Sequence, residues 1–267
     1  MKKSAPKRSR SNRWSEGFRQ PRDGELYISG LNGVHECLAS PHVTVRKIWL
    51  DKRKQPSGWQ AVLTPYRDII VDLEQHDTPY GPATQGVAAL VDSPVHTDLY
   101  RFVEEMKPRG QQPLLVALDQ IEDPMNLGQI LRTCEGAGVD GVVLLRHRSV
   151  HLNQTVAQIS QGAFAWVGVV EVTNLRSSLE DLKQRGYWSI GCEGGKEAVS
   201  WCRVDLTGPT VLVFGAEGRG LRALTRKTCD TLASLPMKGH INSLNVGAAV
   251  SAFLYEAVRQ REMGNPS

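Results

Sequence analysis

The chain has 267 residues, 40% of them hydrophobic and 22% charged, with a formal net charge of +4. That length and balance suit one sizeable α/β core with a smaller companion domain, and they exclude fibrous and largely disordered classes. No run approaches the roughly 18 apolar residues of a membrane span, and the start is too basic and polar for a secretory signal, so a cytoplasmic location is expected.

Charge is unevenly divided. Residues 1–22 carry eight Lys and Arg residues against Glu16 alone, a balance of +7 that leaves −3 for the rest. A Ser-, Arg- and Lys-rich segment of this kind buries too little apolar surface to order itself, so a disordered basic tail is predicted over 1–22. Its charge fits a phosphate-seeking arm, with Trp14 and Phe18 available to stack on bases. A purely solubilising tail is the alternative.

Residues 23–92 read as a small α/β domain. "ELYISGLNGVHECLAS" suggests a strand, a glycine turn and a helix, "VRKIWL" and "RDIIVDL" two further strands, and "GVAALV" a closing one. Residues 93–112, polar and ending in a Pro/Gly/Gln cluster, read as a linker with some helix in it. The larger domain spans 113–267. Apolar runs at 113–118, 141–145, 166–172, 187–191, 210–214 and 231–235 alternate with helical stretches, which predicts a parallel sheet covered on both faces.

Cys37, Cys134, Cys192, Cys202 and Cys229 are scattered, with no CxxC pair. They read as reduced thiols rather than as a disulfide framework or a zinc site. His147 and His151 stand at HxxxH spacing, but no third ligand type lies at a diagnostic distance, and no metal site is assigned.

Three segments of the larger domain concentrate chemistry. In "DPMNLGQILRTCEGAG" (123–138), Leu127, Ile130, Leu131 and Cys134 recur as the buried stripe of a helix. Arg132 points away from that stripe, to solvent or to a cleft. Asn126 is either the helix N-cap or part of a site at the strand end. In "VLVFGAEGRGL" (211–221), Gly215, Gly218 and Gly220 free the backbone for positive φ and close approach to a ligand. The spacing is GxxGxG, neither GxGxxG nor a P-loop, and Glu217 would repel a phosphate. In "LPMKGHINSLNVGAAVSAFLYEA" (235–257), His240, Asn242, Ser243 and Asn245 crowd the turn before an apolar helix. Capping explains one such residue; several together, beside Leu235 and Leu244, mark the turn as a site as well.

In order and spacing, these segments resemble the signature motifs of the SpoU (TrmH-like) class of SPOUT RNA ribose 2′-O-methyltransferases, over roughly residues 113–262. Within that class the chain is most similar to the RlmB-like enzymes, which methylate a guanosine ribose in 23S ribosomal RNA and carry a small L30e-like substrate-binding domain. Residues 25–91 resemble that domain more weakly. The resemblance implies an α/β fold whose parallel sheet ends in a C-terminal trefoil knot, S-adenosylmethionine as methyl donor, an RNA partner, and a homodimer. It implies Gly215, Leu235 and Leu244 as cofactor contacts, Arg132 beside the target ribose, and Asn126, Glu217, Ser243 and Asn245 as the other polar active-site positions. The stripe Leu244, Ala248, Ser251, Ala252 and Tyr255 then faces either a partner subunit or the core.

The family proposes Arg132 as general base. A guanidinium keeps its proton to above about pH 12, so stabilising a developing alkoxide and holding a phosphate is the easier chemistry. A tRNA ribose methyltransferase of the same fold, and a non-catalytic RNA-binding assembly factor, are the alternatives. Neither a membrane nor a DNA partner is expected.

Overall fold

The computed structural model describes residues 18–73, 77–110, 112–195, 197–241 and 243–263. Most of the segment expected to form the basic tail therefore lies outside the described residues, as does Asn242.

The small domain runs β1 (Glu25–Ser29), α1 (Leu31–Ala39), β2 (Val45–Leu50), α2 (Trp59–Leu63), β3 (Ile70–Asp72), β4 (Asp77–Thr78), β5 (Gly81–Pro82) and β6 (Val87–Asp92). Its main sheet has the order β1-β6-β2-β3, with β6 antiparallel to both neighbours. The third strand is shorter than "RDIIVDL" suggests. Residues Thr64–Ile69 form a 3-10 turn instead, with Pro65 at its start, because proline presets the turn dihedral and brings no N–H to a ladder.

The larger domain follows with β7 (Val95–His96), α3 (Leu99–Glu105), β8 (Leu114–Asp119), α4 (Pro124–Gly136), β9 (Gly141–Leu145), α5 (Gln154–Ile159), β10 (Gly168–Val172), α6 (Leu175–Gln184), β11 (Trp188–Cys192), β12 (Val199–Ser200), β13 (Thr210–Gly215), α7 (Ala223–Thr228), β14 (Thr231–Ser234) and α8 (Val246–Met263). Its eight strands are parallel throughout, in the order β12-β14-β11-β13-β8-β9-β10-β7. The stretch expected as a linker is thus partly built into this sheet. Val95 and His96 pair with β10, and Phe102 of α3 is buried over it. Sequence reading misses this because a two-residue edge strand has no periodicity to detect.

Alternation along the strands divides the core in two. Leu114, Val116 and Leu118 of β8 join the apolar cluster that holds α4 and α8, while Leu115 and Ala117 join the opposite one with α6. In α4 the predicted stripe of Leu127, Ile130, Leu131 and Cys134 is fully buried; each such leucine contributes about 1.5–3 kcal/mol by leaving water. Gly128 lets α4 approach α5 closely, since a Cβ there would stand 2.5 Å from Ile159.

The two domains share one cluster of buried side chains, running from Ile28 and Val34 to Leu127 and Phe164. Polar contacts reinforce it: Gln158 Nε2 donates to the Ser29 carbonyl at 2.9 Å and Trp166 Nε1 to Glu36 Oε2 at 2.8 Å. Among the described residues, no helix is long and apolar enough to cross a membrane.

Candidate functional site

At the carboxyl ends of β11, β13 and β14 lies a cavity of about 530 Å³. Such strand ends are where open α/β sheets hold ligands, because the helix-leading loops diverge there. Glu193, the Gly215–Gly220 loop, Leu235, Ser243, Leu244 and Phe253 line it. All three residues expected to contact a cofactor, Gly215, Leu235 and Leu244, therefore line one cavity.

The glycine loop is a tight return. Ala216 and Gly220 pair as an antiparallel bridge, and Gly218 and Gly220 have φ of +77° and +66°. Gly215 differs from the expectation of positive φ. Its need for glycine is steric: a Cβ would stand 2.0 Å from the Gly220 carbonyl carbon, so the returning backbone occupies the place of the side chain. Asp119, buried at the end of β8, holds the far end of the loop by accepting from Arg222 N at 3.0 Å and Arg222 Nε at 2.7 Å.

Glu193 closes the other side. Its Oε2 is shielded from solvent with no hydrogen-bond partner, and the nearest cationic group is Arg226 Nε at 3.9 Å. A shielded carboxylate oxygen is costly without a donor, and Arg226 is the cation that offsets it, while the residue itself gives this wall of the cavity an acidic character. Burial pushes the neighbouring Cys192 thiol well above its ordinary range, which makes it a lining group rather than a nucleophile.

Asn126 and Asn245 meet beside the cavity, where Leu244 and Val246, on either side of Asn245, line it. Asn245 Nδ2 donates to Asn126 Oδ1 at 2.9 Å, while Asn245 Oδ1 accepts from Gly247 N at 2.9 Å. One side chain therefore both caps α8 and fixes the partner amide. The N-cap reading of Asn126 is overturned: Asp123 caps α4, accepting from Met125 N, with Pro124 next in the first turn. This leaves the buried Asn126 side chain free for the site. Ser243 and Glu217 are exposed at the cavity rim.

Arg132 is not brought to this group. It lies on the exposed face of α4, six residues beyond Asn126, with no ion-pair partner among the described residues and outside the cavity lining. Six residues of helix are about 9 Å of axial rise. The α8 stripe resolves toward the open side: Ala248 and Tyr255 are exposed and Ser251 and Ala252 half-buried, while Val250, Phe253, Leu254 and Ala257 fill the core.

Asp119, Arg222 and Glu193 escape sequence reading. For Asp119 a signal existed, an acidic residue closing the apolar run "LLVALD"; for Glu193, in a polar loop, there was none.

The SpoU rRNA Methylase family model matches residues 113–255, more than half of the chain. The chain belongs to the SpoU rRNA methylase family. Among its SpoU relatives, the 23S rRNA (guanosine-2′-O-)-methyltransferase RlmB of Pseudomonas aeruginosa is 39% identical over 240 residues, covering 88% of this chain and 96% of the relative. A Staphylococcus aureus protein described as a TrmH family tRNA/rRNA methyltransferase is 41% identical over 242 residues, 89% of this chain and 97% of that one. Among solved structures, the SpoU methyltransferase AviRb from Streptomyces viridochromogenes in complex with AdoMet aligns with a TM-score of 0.72 at 26% identity, covering 91% of this chain and 93% of its own. The α/β parallel-sheet architecture of this SpoU protein is thus that of its structural relatives. The A. aeolicus TrmH/SpoU tRNA modifying enzyme aligns with a TM-score of 0.54 at 33% identity over 62% of this chain and 83% of its own.

Proposed function

We propose that this protein methylates a guanosine ribose 2′-hydroxyl in 23S ribosomal RNA, using S-adenosylmethionine and acting as a homodimer in the cytoplasm. The observation that carries this reading is the cavity at the glycine loop, opening beside the Asn126–Asn245 pair. Ribosomal RNA is preferred to tRNA because the likeness to RlmB extends over 88% of the chain, small domain included, whereas the tRNA modifying enzyme matches 62%.

The residues fit the cofactor. Phe214, Leu235, Leu244 and Phe253 supply apolar walls, the Gly215–Gly220 backbone supplies close-lying polar groups, and Glu193 adds an acidic residue to the lining, suited to a cationic ligand. When bound, S-adenosylmethionine would supply an electrophilic methyl group; its transfer to the ribose oxygen would break the sulfur–methyl bond, leave the neutral thioether S-adenosylhomocysteine and release the hydroxyl proton to water. The chain's own contribution is positioning and charge. Gly215, Leu235 and Leu244 hold the donor, and Glu193 gives the cavity wall its acidic character. Asn126, Asn245, Ser243 and Glu217 form the polar rim that receives the nucleoside. Arg132 stabilises the developing alkoxide and holds the adjacent phosphate.

Because Arg132 stands away from its own cavity, a second copy packed on the α4–α8 face is inferred to deliver it. Exposed apolar side chains on and just before α8 support this: Leu244 is 45% exposed and Tyr255 56%. The segment 235–245 is further inferred to thread as a trefoil knot. Its support is α8, whose Arg261 reaches back to the carbonyls of Leu206, Gly208 and Gln112. The domain 23–92 is taken as L30e-like and RNA-binding, joined to the catalytic domain through 93–112.

The test is methyl transfer from labelled S-adenosylmethionine to unmodified 23S rRNA and to tRNA, read by nucleoside mass spectrometry. 2′-O-methylguanosine in rRNA alone is expected; label in tRNA alone would replace this reading with the tRNA one. Arg132→Ala is expected to abolish transfer while cofactor affinity, by calorimetry, stays within about twofold. Loss of both together would exclude Arg132 from a role confined to the ribose.

A further inference from the structure

We propose that the loop between β9 and α5, through Arg146, His147 and Arg148, grips the phosphodiester backbone of the RNA strand flanking the target nucleotide. The inference rests on the reading of the protein as an RNA methyltransferase and names the surface that receives the strand.

The loop leaves the same edge of the sheet as the cavity, two strands away. β9 neighbours β8, and β8 neighbours β13, so the carboxyl end of β9 lies beyond Asn126 as seen from the glycine loop. It is held at both ends: Arg146 N donates to the Val172 carbonyl and Val150 N to the Ile121 carbonyl, each at 2.8 Å. Between these anchors His147 and Arg148 are exposed and Arg146 is half-buried.

Charge pairing leaves these arginines available. Arg46 is paired with Asp92, Arg101 with Glu105, Arg109 with Glu135 and Arg259 with Glu256. Arg146 and Arg148 have no ion-pair partner among the described residues, and neither do Arg22, Arg132 and Arg219 of the loops and helix beside them; Arg19, Arg67, Arg203 and Arg261 are likewise without one. The nearby carboxylates are in part engaged. Asp123 caps α4, Asp98 caps α3 and Glu171 is bonded to His151 at 2.8 Å; Glu122 and Asp181 have no ion pair among the described residues, and Asp98, Glu171 and Asp181 line a cavity with Arg146, which leaves Arg148 as the more exposed of the two cations. Unpaired guanidinium groups on a rigid loop suit bidentate contact with phosphate.

The backbone adds an independent sign. Arg148 has φ +59°, a left-handed conformation that is uncommon outside glycine, asparagine and aspartate and that gathers at functional sites. Gln120, in the adjoining loop, has φ +63°. The next residue, Ser149, holds a shielded hydroxyl with no hydrogen-bond partner. The loop then runs into a cleft where Leu152 and Asn153 face Gln20 and Arg22, so the point at which the basic N-terminal segment joins the fold lies along the same line.

The experiment measures equilibrium binding of an unmodified 23S rRNA fragment to the full chain across a salt series. Wild type is compared with Arg146→Ala/Arg148→Ala, Arg146→Lys/Arg148→Lys and the control Arg101→Ala. The alanine variant is expected to bind about tenfold more weakly near 0.1 M salt, with the slope of log K against log salt reduced by about 1.4, two phosphates at about 0.7 each for a single strand. The lysine variant should recover most of that slope, and Arg101→Ala should match wild type. Calorimetry with S-adenosylmethionine checks folding; if alanine lowers that affinity too, Arg146→Gln/Arg148→Gln decides. RNA affinity and salt slope equal to wild type would overturn the proposal. Because the readout is binding, a wild type that binds RNA but transfers no methyl group would fail the enzymatic reading alone.

Discussion

A single hydrogen at Gly215 decides whether the glycine loop can close. A Cβ would meet the backbone of Gly220 and Leu221 at 2.0–2.3 Å, and a backbone clash has no rotamer to relieve it. Gly215→Ala is therefore expected to cost about 1–3 kcal/mol and to weaken S-adenosylmethionine binding at least tenfold, read by thermal unfolding and calorimetry. An unchanged affinity would separate the loop from the cofactor. The thiols give a second check. Cys37 and Cys134 are fully buried and burial raises both; Cys229 is pushed up to about 12, while Cys202 is exposed. Iodoacetamide at pH 8 is expected to modify Cys202 in the native protein and to spare Cys134, as peptide mass spectrometry would detect, because only an accessible thiolate reacts. The sequence already indicated reduced, scattered cysteines. Which of them is inert depends on burial that no local pattern encodes.

Elements join the site through few contacts. The β13–α7 loop is tied to β8 by Asp119, which accepts two hydrogen bonds from Arg222. Removing that buried acceptor in Asp119→Ala is expected to cost about 1.5–3 kcal/mol and to raise the cofactor Kd severalfold, with Tm and calorimetry as the measures; full cofactor affinity in the variant would show that the loop holds itself. α4 illustrates what was legible and what was not. Its stripe of Leu127, Ile130, Leu131 and Cys134 follows from the 3.6-residue period and is buried as expected. Asn126 reads equally as the N-cap or as a site residue, because its type favours the cap position. The bond from Met125 N gives the cap to Asp123, and the contact of Asn126 with Asn245, 119 residues away, is what no local pattern foretells. Likewise β7 enters the sheet by pairing with β10, an arrangement invisible in two residues of sequence.

α8 buries Val250, Phe253, Leu254 and Ala257 against its own sheet and leaves Ala248 and Tyr255 outward, so one helix has an interior side and a spare one. Ala248→Glu/Tyr255→Glu is expected to shift the mass in analytical ultracentrifugation from twice 29.5 kDa to 29.5 kDa and to abolish methyl transfer while cofactor binding persists. A monomeric wild type would refute the dimer. By itself the sequence determined the α/β class, the longer strands and helices of the larger domain, the family motifs and the residue types they carry, because periodicity, turn chemistry and motif spacing are local properties. Tertiary structure alone decided which residues meet. It joined Asn126 to Asn245, turned Glu193 toward the cavity, and held Arg132 away from it. Those outcomes depend on strand order and on the packing of α4 against α8, contacts between residues far apart in the chain, where local pattern carries no information.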